Sequence, residues 1–111
     1  MLKGIWSFSF KGSNIAFNTG VMFFVGDRFY GGSSHYYTIG KFEQEGLDIA
    51  AKVEIKSHFE KRESQSLIPN LFTLSGSTNK AESLLQLVGV AAENPNILLT
   101  IAMLKMEEYE H

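Results

Sequence analysis

The sequence predicts an all-β protein, an eight-stranded antiparallel up-and-down barrel spanning residues 1–111 as a single domain. Three observations carry that expectation. Apolar and polar residues alternate with a period of two along several stretches, as they do in a half-buried strand. Ten glycines against two prolines, with 13% aromatic residues, favour many strands joined by tight turns. Strand-like stretches recur to the end of the chain, and a meander of this kind loses its exposed edges by closing on itself.

The first strand is Leu2–Phe10, with Leu2, Gly4, Trp6, Phe8 and Phe10 on one face and Lys3, Ser7 and Ser9 on the other. After the turn Lys11-Gly12-Ser13-Asn14, the second strand, Ile15–Val25, is apolar on both parities, which implies partial cover on both faces. Gly26-Asp27 then reverses the chain, because glycine reaches positive φ freely and aspartate accepts local backbone hydrogen bonds. A short third strand, Arg28–Tyr30, is broken by Gly31-Gly32-Ser33-Ser34. The fourth, His35–Phe42, carries Tyr36, Tyr37, Thr38 and Ile39, which suit a pleated, partly buried surface.

Glu45-Gly46 turns the chain into the fifth strand, Leu47–Phe59, where Leu47, Ile49, Ala51, Val53 and Ile55 alternate with Asp48, Lys52, Glu54, Lys56 and His58. Glu60–Asn70 reads as one long polar connection before the sixth strand, Leu71–Thr78. In the last third a helical alternative stands beside the strands. Lys80–Ala92 and Ile97–Met106 contain good helix formers, and Asn79 with Glu82 resembles a capping box. Gly89 between two valines, and the run Ile97–Ile101 that is apolar on nearly all sides, favour a seventh and an eighth strand.

A net charge of -2 supplies no cationic field to collect phosphates, so direct nucleic-acid binding is not expected. The absence of cysteine excludes a disulfide, a thiolate nucleophile and a sulfur-ligated metal, and fits a reducing cytoplasm. No stretch approaches the ~18 apolar residues of a membrane span, and none of the N-terminal residues forms a signal sequence, so no membrane association is expected. His35, His58 and His111 lack a second histidine or carboxylate at metal-ligand spacing. Glu43, Glu45 and Asp48 gather at a turn, whose tip is normally wet, whereas paired carboxylates in acid–base catalysis need a cleft. Ser7, Ser33, Ser34 and Ser75 have no accompanying base. The expectation is a binding protein with no catalytic residue, metal or cofactor.

Two binding surfaces suggest themselves. Trp6, Phe8, Phe10 and Phe17 form an aromatic wall that could line the interior of a barrel enclosing one small apolar ligand. The second apolar parity of Val21–Val25 and of Ile97–Leu104 would instead need a subunit or partner to cover it.

Local motifs add a family likeness. Gly4-Ile5-Trp6 matches the Gly-x-Trp that lipocalins carry at the start of their first strand. That opening extends through Ser7-Phe8 and is followed in order by Gly20-Val21, Gly26-Asp27-Arg28, Gly31-Gly32, Tyr37-Thr38-Ile39-Gly40 and the alternating strand from Leu47. Together they resemble the GrlR-like negative regulators associated with bacterial type III secretion, small proteins with a lipocalin-like eight-stranded barrel. The resemblance implies a cytoplasmic homodimer that holds a DNA-binding transcriptional activator away from its promoter, through an acidic Glu-Asp-Glu-Asp motif on an exposed loop. The matching stretch here is Glu43-Gln44-Glu45-Gly46, with two of the four acids and with Asp48 nearby. These residues, Glu43, Gln44, Glu45 and Asp48, are the protein-binding site that the resemblance implies. Ser33 occupies the position after Gly31-Gly32 where an aspartate is usual.

Overall fold

Eight antiparallel strands, each bonded to the next and the last to the first, form a closed barrel. The structure, a computed structural model, describes residues 2–13, 17–57 and 71–107. In chain order the strands are β1 (Gly4–Gly12), β2 (Asn18–Val25), β3 (Arg28–Gly32), β4 (Tyr36–Glu45), β5 (Asp48–Ser57), β6 (Leu71–Thr78), β7 (Leu84–Ala91) and β8 (Asn94–Glu107). The helical alternative for the last third is therefore not adopted. The sequence expectation for the ends of β5 and for the connection 60–70 falls partly or wholly outside the described residues.

Alternation decides what lies inside. Trp6, Phe8 and Phe10 of β1, Met22 and Phe24 of β2, Phe29 of β3 and Phe42 of β4 are all buried. Ile49, Ala51, Val53 and Ile55 continue the interior on β5, followed by Phe72 and Leu74, Leu85 and Leu87, and Leu99, Ile101 and Met103 on the last three strands. An eight-stranded barrel is just wide enough for such side chains to fill. At one end Trp6 tilts against Phe24 at 5.3 Å between ring centroids, and Phe24 stacks on Phe29 at 5.1 Å and meets Phe42 edge-on at 5.5 Å. The indole N–H of Trp6 donates to the Lys3 carbonyl at 2.9 Å, which satisfies the one polar atom this ring takes into the interior.

Inward glycines make room for these rings. A Cβ on Gly40 would run into the Phe29 ring, and one on Gly20 would come within 2.9 Å of Phe8. Gly31 and Gly32 likewise remain in the ladder, opposite Thr38 and Tyr37, so β3 is two residues longer than its sequence suggests. Gly31, which reads as part of a break, is instead a place where Met22 and the Val21 backbone approach closely.

The helix-like sequence words after Asn79 belong to a turn. Asn79 Oδ1 accepts from the backbone N–H groups of Ser83 at 2.7 Å and Leu84 at 3.1 Å, and Glu82 N–H donates to the Asn79 carbonyl. An asparagine that caps a helix makes similar local bonds, which is why the two read alike. β7 consequently begins at Leu84 rather than Lys80. β8 in turn begins earlier than Ile97, at Asn94, and it carries Pro95 at its start beside a register shift between Val90 and Ala91. A proline lacks the N–H for a ladder bond and is accommodated at such a position.

Candidate functional site

The barrel's outer wall divides into two halves of opposite character. Cross-strand pairing sets Leu84 beside Leu104, Leu104 beside Ser7 and Ser7 beside Val21. A second row runs from Ile5 to Phe23, Tyr30 and Ile39. Val21, Phe23, Tyr30, Tyr37, Leu84, Leu104 and Met106 are each 40 to 58% exposed. Between the larger side chains, Ser7, Ser9, Thr19 and Ala102 floor a shallow groove rimmed by Val21, Leu84 and Leu104. The first row carries no charged side chain, and the second is bounded by Glu107 opposite Ile5 and by Glu54 opposite Ile39. Large apolar residues exposed to this extent present on the order of 600 Å² together, at the top of the range for the largest patch on a monomer, ~300–600 Å².

The double apolar parity of β2 and β8 is thus one buried face and one bare face, and the expected cover on both sides is absent among the described residues. Phe17 shows the same effect and corrects its assignment to the interior wall. It is 65% exposed, because it shares the outward parity of Val21 and Phe23 while Gly20, Met22 and Phe24 oppose Phe8, Trp6 and Gly4. Trp6, Phe8 and Phe10 do point inward, with Phe8 stacked on Phe10 at 5.5 Å and 3°. At the Trp6 end their neighbours Phe24, Phe29 and Phe42 occupy the interior.

One interior group stands out on polarity. Thr38 is 2% exposed and, among the described residues, its hydroxyl has no hydrogen-bond partner. Its cross-strand neighbours are Gly31 and Ile55. An unsatisfied buried hydroxyl costs ~1–3 kcal/mol, whereas a methyl group of the same shape costs nothing in hydration. Thr38→Val should therefore raise stability by about 1 kcal/mol, measured by urea denaturation. A loss of stability instead would show that the hydroxyl serves a partner inside the barrel.

At the Trp6 end, the turn between β4 and β5 places Glu43, Glu45 and Asp48 on the surface. Gln44 behaves differently. Its amide Nε2 donates to the Gly46 carbonyl at 3.0 Å and to Glu82 Oε2 at 2.8 Å, clasping the β4–β5 turn to the β6–β7 turn. Thr78 N–H strengthens the clasp by donating to the Leu47 carbonyl at 2.9 Å. Gln44 thus ties this end together, and it brings a further acid, Glu82, to the turn. Glu82 lies 38 residues from Gln44, and nothing local in the sequence pairs them. Glu82 also holds a left-handed backbone, φ 54°, which costs a residue with a side chain roughly 1 kcal/mol.

The Gln44 amide, with the Lys105 ammonium contributing, holds the Glu82 carboxyl below its ordinary value of 4.5. A carboxylate lowered by folding contributes stability above its unfolded pKa and loses it as pH falls through the folded value. Glu82→Gln should accordingly flatten the fall in denaturation midpoint between pH 7 and pH 3, while leaving the Gln44 contact in place. An unchanged pH profile would contradict a role for this charge.

No protein-family model matches the chain, and no curated protein matches it.

Proposed function

We propose that this protein is a non-enzymatic protein-binding regulator that associates with a second copy through the apolar wall of β7, β8, β1, β2 and β3. The observation that carries this reading is the uncharged first row, which crosses all five strands through Leu84, Leu104, Ser7, Val21 and Gly32. Two such faces would together bury an area near the lower limit of a standard interface, ~1,200 Å² in total. The small residues along the groove, Ser7, Ser9 and Ala102, let another backbone or knob approach closely, and Val21 and Leu104 flank it as anchors. The acidic end formed by Glu43, Glu45, Asp48 and Glu82 would then face a basic surface on a further partner. The GrlR-like resemblance makes that partner a DNA-binding transcriptional activator, held away from DNA in the cytoplasm.

Sedimentation velocity across a concentration series tests the wall. The wild-type chain should associate at micromolar concentration, and Val21→Lys with Leu104→Lys should weaken association at least ~100-fold, since central interface residues each contribute ~2 kcal/mol or more. Both side chains point to solvent, so circular dichroism of the variant should match the wild type. A wild-type chain that stays monomeric at ~100 μM, where even a weak dimer of Kd ~10 μM would form, would overturn the proposal.

A further inference from the structure

Beside the apolar wall, with which it shares β3, strands β3 to β6 carry a row of cations. Antiparallel pairing sets Arg28 against Lys41, Lys41 against Lys52, and Lys52 against Thr73. All four side chains share the outer face and are exposed. Direct cross-strand neighbours have Cβ atoms ~5 Å apart, a separation at which like charges oppose folding. Glu43 and Glu54 stand on neighbouring diagonals of the same face. Even so, among the described residues neither Lys41 nor Lys52 forms an ion pair, and Arg28 reaches only the exposed Asp27, at 3.9 Å. A cleft follows the row, with Lys41, Lys52, Glu43 and Thr73 at its sides and Ala50 leaving its floor low.

We propose that this row is a docking site for an acidic segment of a protein partner, distinct from the apolar wall. Lys41 and Lys52 stand side by side without an ion pair among the described residues, with Arg28, held only by the exposed Asp27, next in the row, and charge complementarity selects the occupant. A carboxylate seated between Lys41 and Lys52 would relieve their mutual repulsion and accept a bond from the Thr73 hydroxyl. Glu43 at the cleft edge would accept from a backbone N–H of the same segment. A carboxylate between Lys41 and Lys52 lies one and a half strand spacings from Arg28, ~7 Å, so a second carboxylate two residues along an extended segment, on the same face, would reach Arg28. A nucleic acid fits less well, because its unbroken row of phosphates would meet Asp27, Glu43 and Glu54 around the row, whereas an extended peptide turns alternate side chains away and can set the others against the cations.

Fluorescence anisotropy of a labelled hexaglutamate peptide with the full chain at low ionic strength tests this. Binding is expected for the wild type, weakening as salt is added. Lys41→Gln with Lys52→Gln should weaken it about tenfold, the scale of two exposed ion pairs, and should not lower the melting temperature. Lys56→Gln, further along β5 and opposite Tyr37, should have a much smaller effect, and a charge-neutral Val21→Ser and Leu104→Ser variant of the wall should leave binding unchanged. Absence of wild-type binding, equal binding by the double variant, or tighter binding of a labelled decathymidylate would each overturn the proposal.

Discussion

Trp6→Ala should destabilise the protein by about 3–5 kcal/mol, the range for removing a large aromatic side chain from a packed core. The ring is fully buried, packs on Phe24, and donates its only polar hydrogen to the Lys3 carbonyl. Lys105 Nζ lies 5.7 Å from the ring centroid, which adds a cation–π attraction of ~0.5–1 kcal/mol to what is lost. Domains of this size have a total stability of ~5–15 kcal/mol, so the variant should be partly unfolded at physiological temperature. Trp6→Phe separates the contributions, because it keeps most of the contact with Phe24 and discards the hydrogen bond. Its cost should be nearer ~1–2 kcal/mol. Urea titrations of the two variants measure the difference, and a Trp6→Ala shift below ~1 kcal/mol would mean that this end is less tightly filled than its geometry implies.

Gly76→Ala is the second large effect, at about 3 kcal/mol, the upper end of ordinary overpacking. A Cβ there would strike the carbonyl oxygen of Gln86 and come within 3.0 Å of the Leu87 Cα, and neither atom can move without opening the β6–β7 ladder. Gly40→Ala offers the contrast. The atoms nearest its added methyl would all belong to the Phe29 ring, a side chain rather than a ladder carbonyl, so about 1–2 kcal/mol is expected. Thermal unfolding of both variants should give the larger drop for Gly76→Ala. The reverse order would place the rigid contact at the ring rather than at the backbone.

Much of the barrel was legible because strands with one polar face declare their orientation. On β5, Ile49, Ala51, Val53 and Ile55 are buried as their alternation with charged residues requires, and β6 runs from Leu71 to Thr78 as read. Where both parities are apolar, the sequence alone leaves the choice of inner face open. On β2 it is made by the neighbouring strand, which sets Gly20 against Phe8 and Met22 against Trp6, and so turns Phe17, Val21 and Phe23 outward. The exposed acidic turn was visible as a local cluster. Its junction with Glu82 was not, because that contact depends on two turns meeting at one end of a closed barrel. The cation row was hidden for the same reason: Arg28, Lys41 and Lys52 are separated along the chain and become neighbours only through register.

Closure between β1 and β8 also bears on when the protein can act. Phe8 pairs with Met103 and Ser7 with Leu104, so β1 finds its second partner only after the seven strands that follow it have been synthesised. Contacts so remote along the chain slow folding, because loop closure must precede the energy gained from pairing. The apolar wall is composed across this same seam, with Leu104 and Ser7 side by side. A nascent chain lacking β8 therefore has no complete surface of this kind, and any association through the wall has to wait until β8 has joined the barrel.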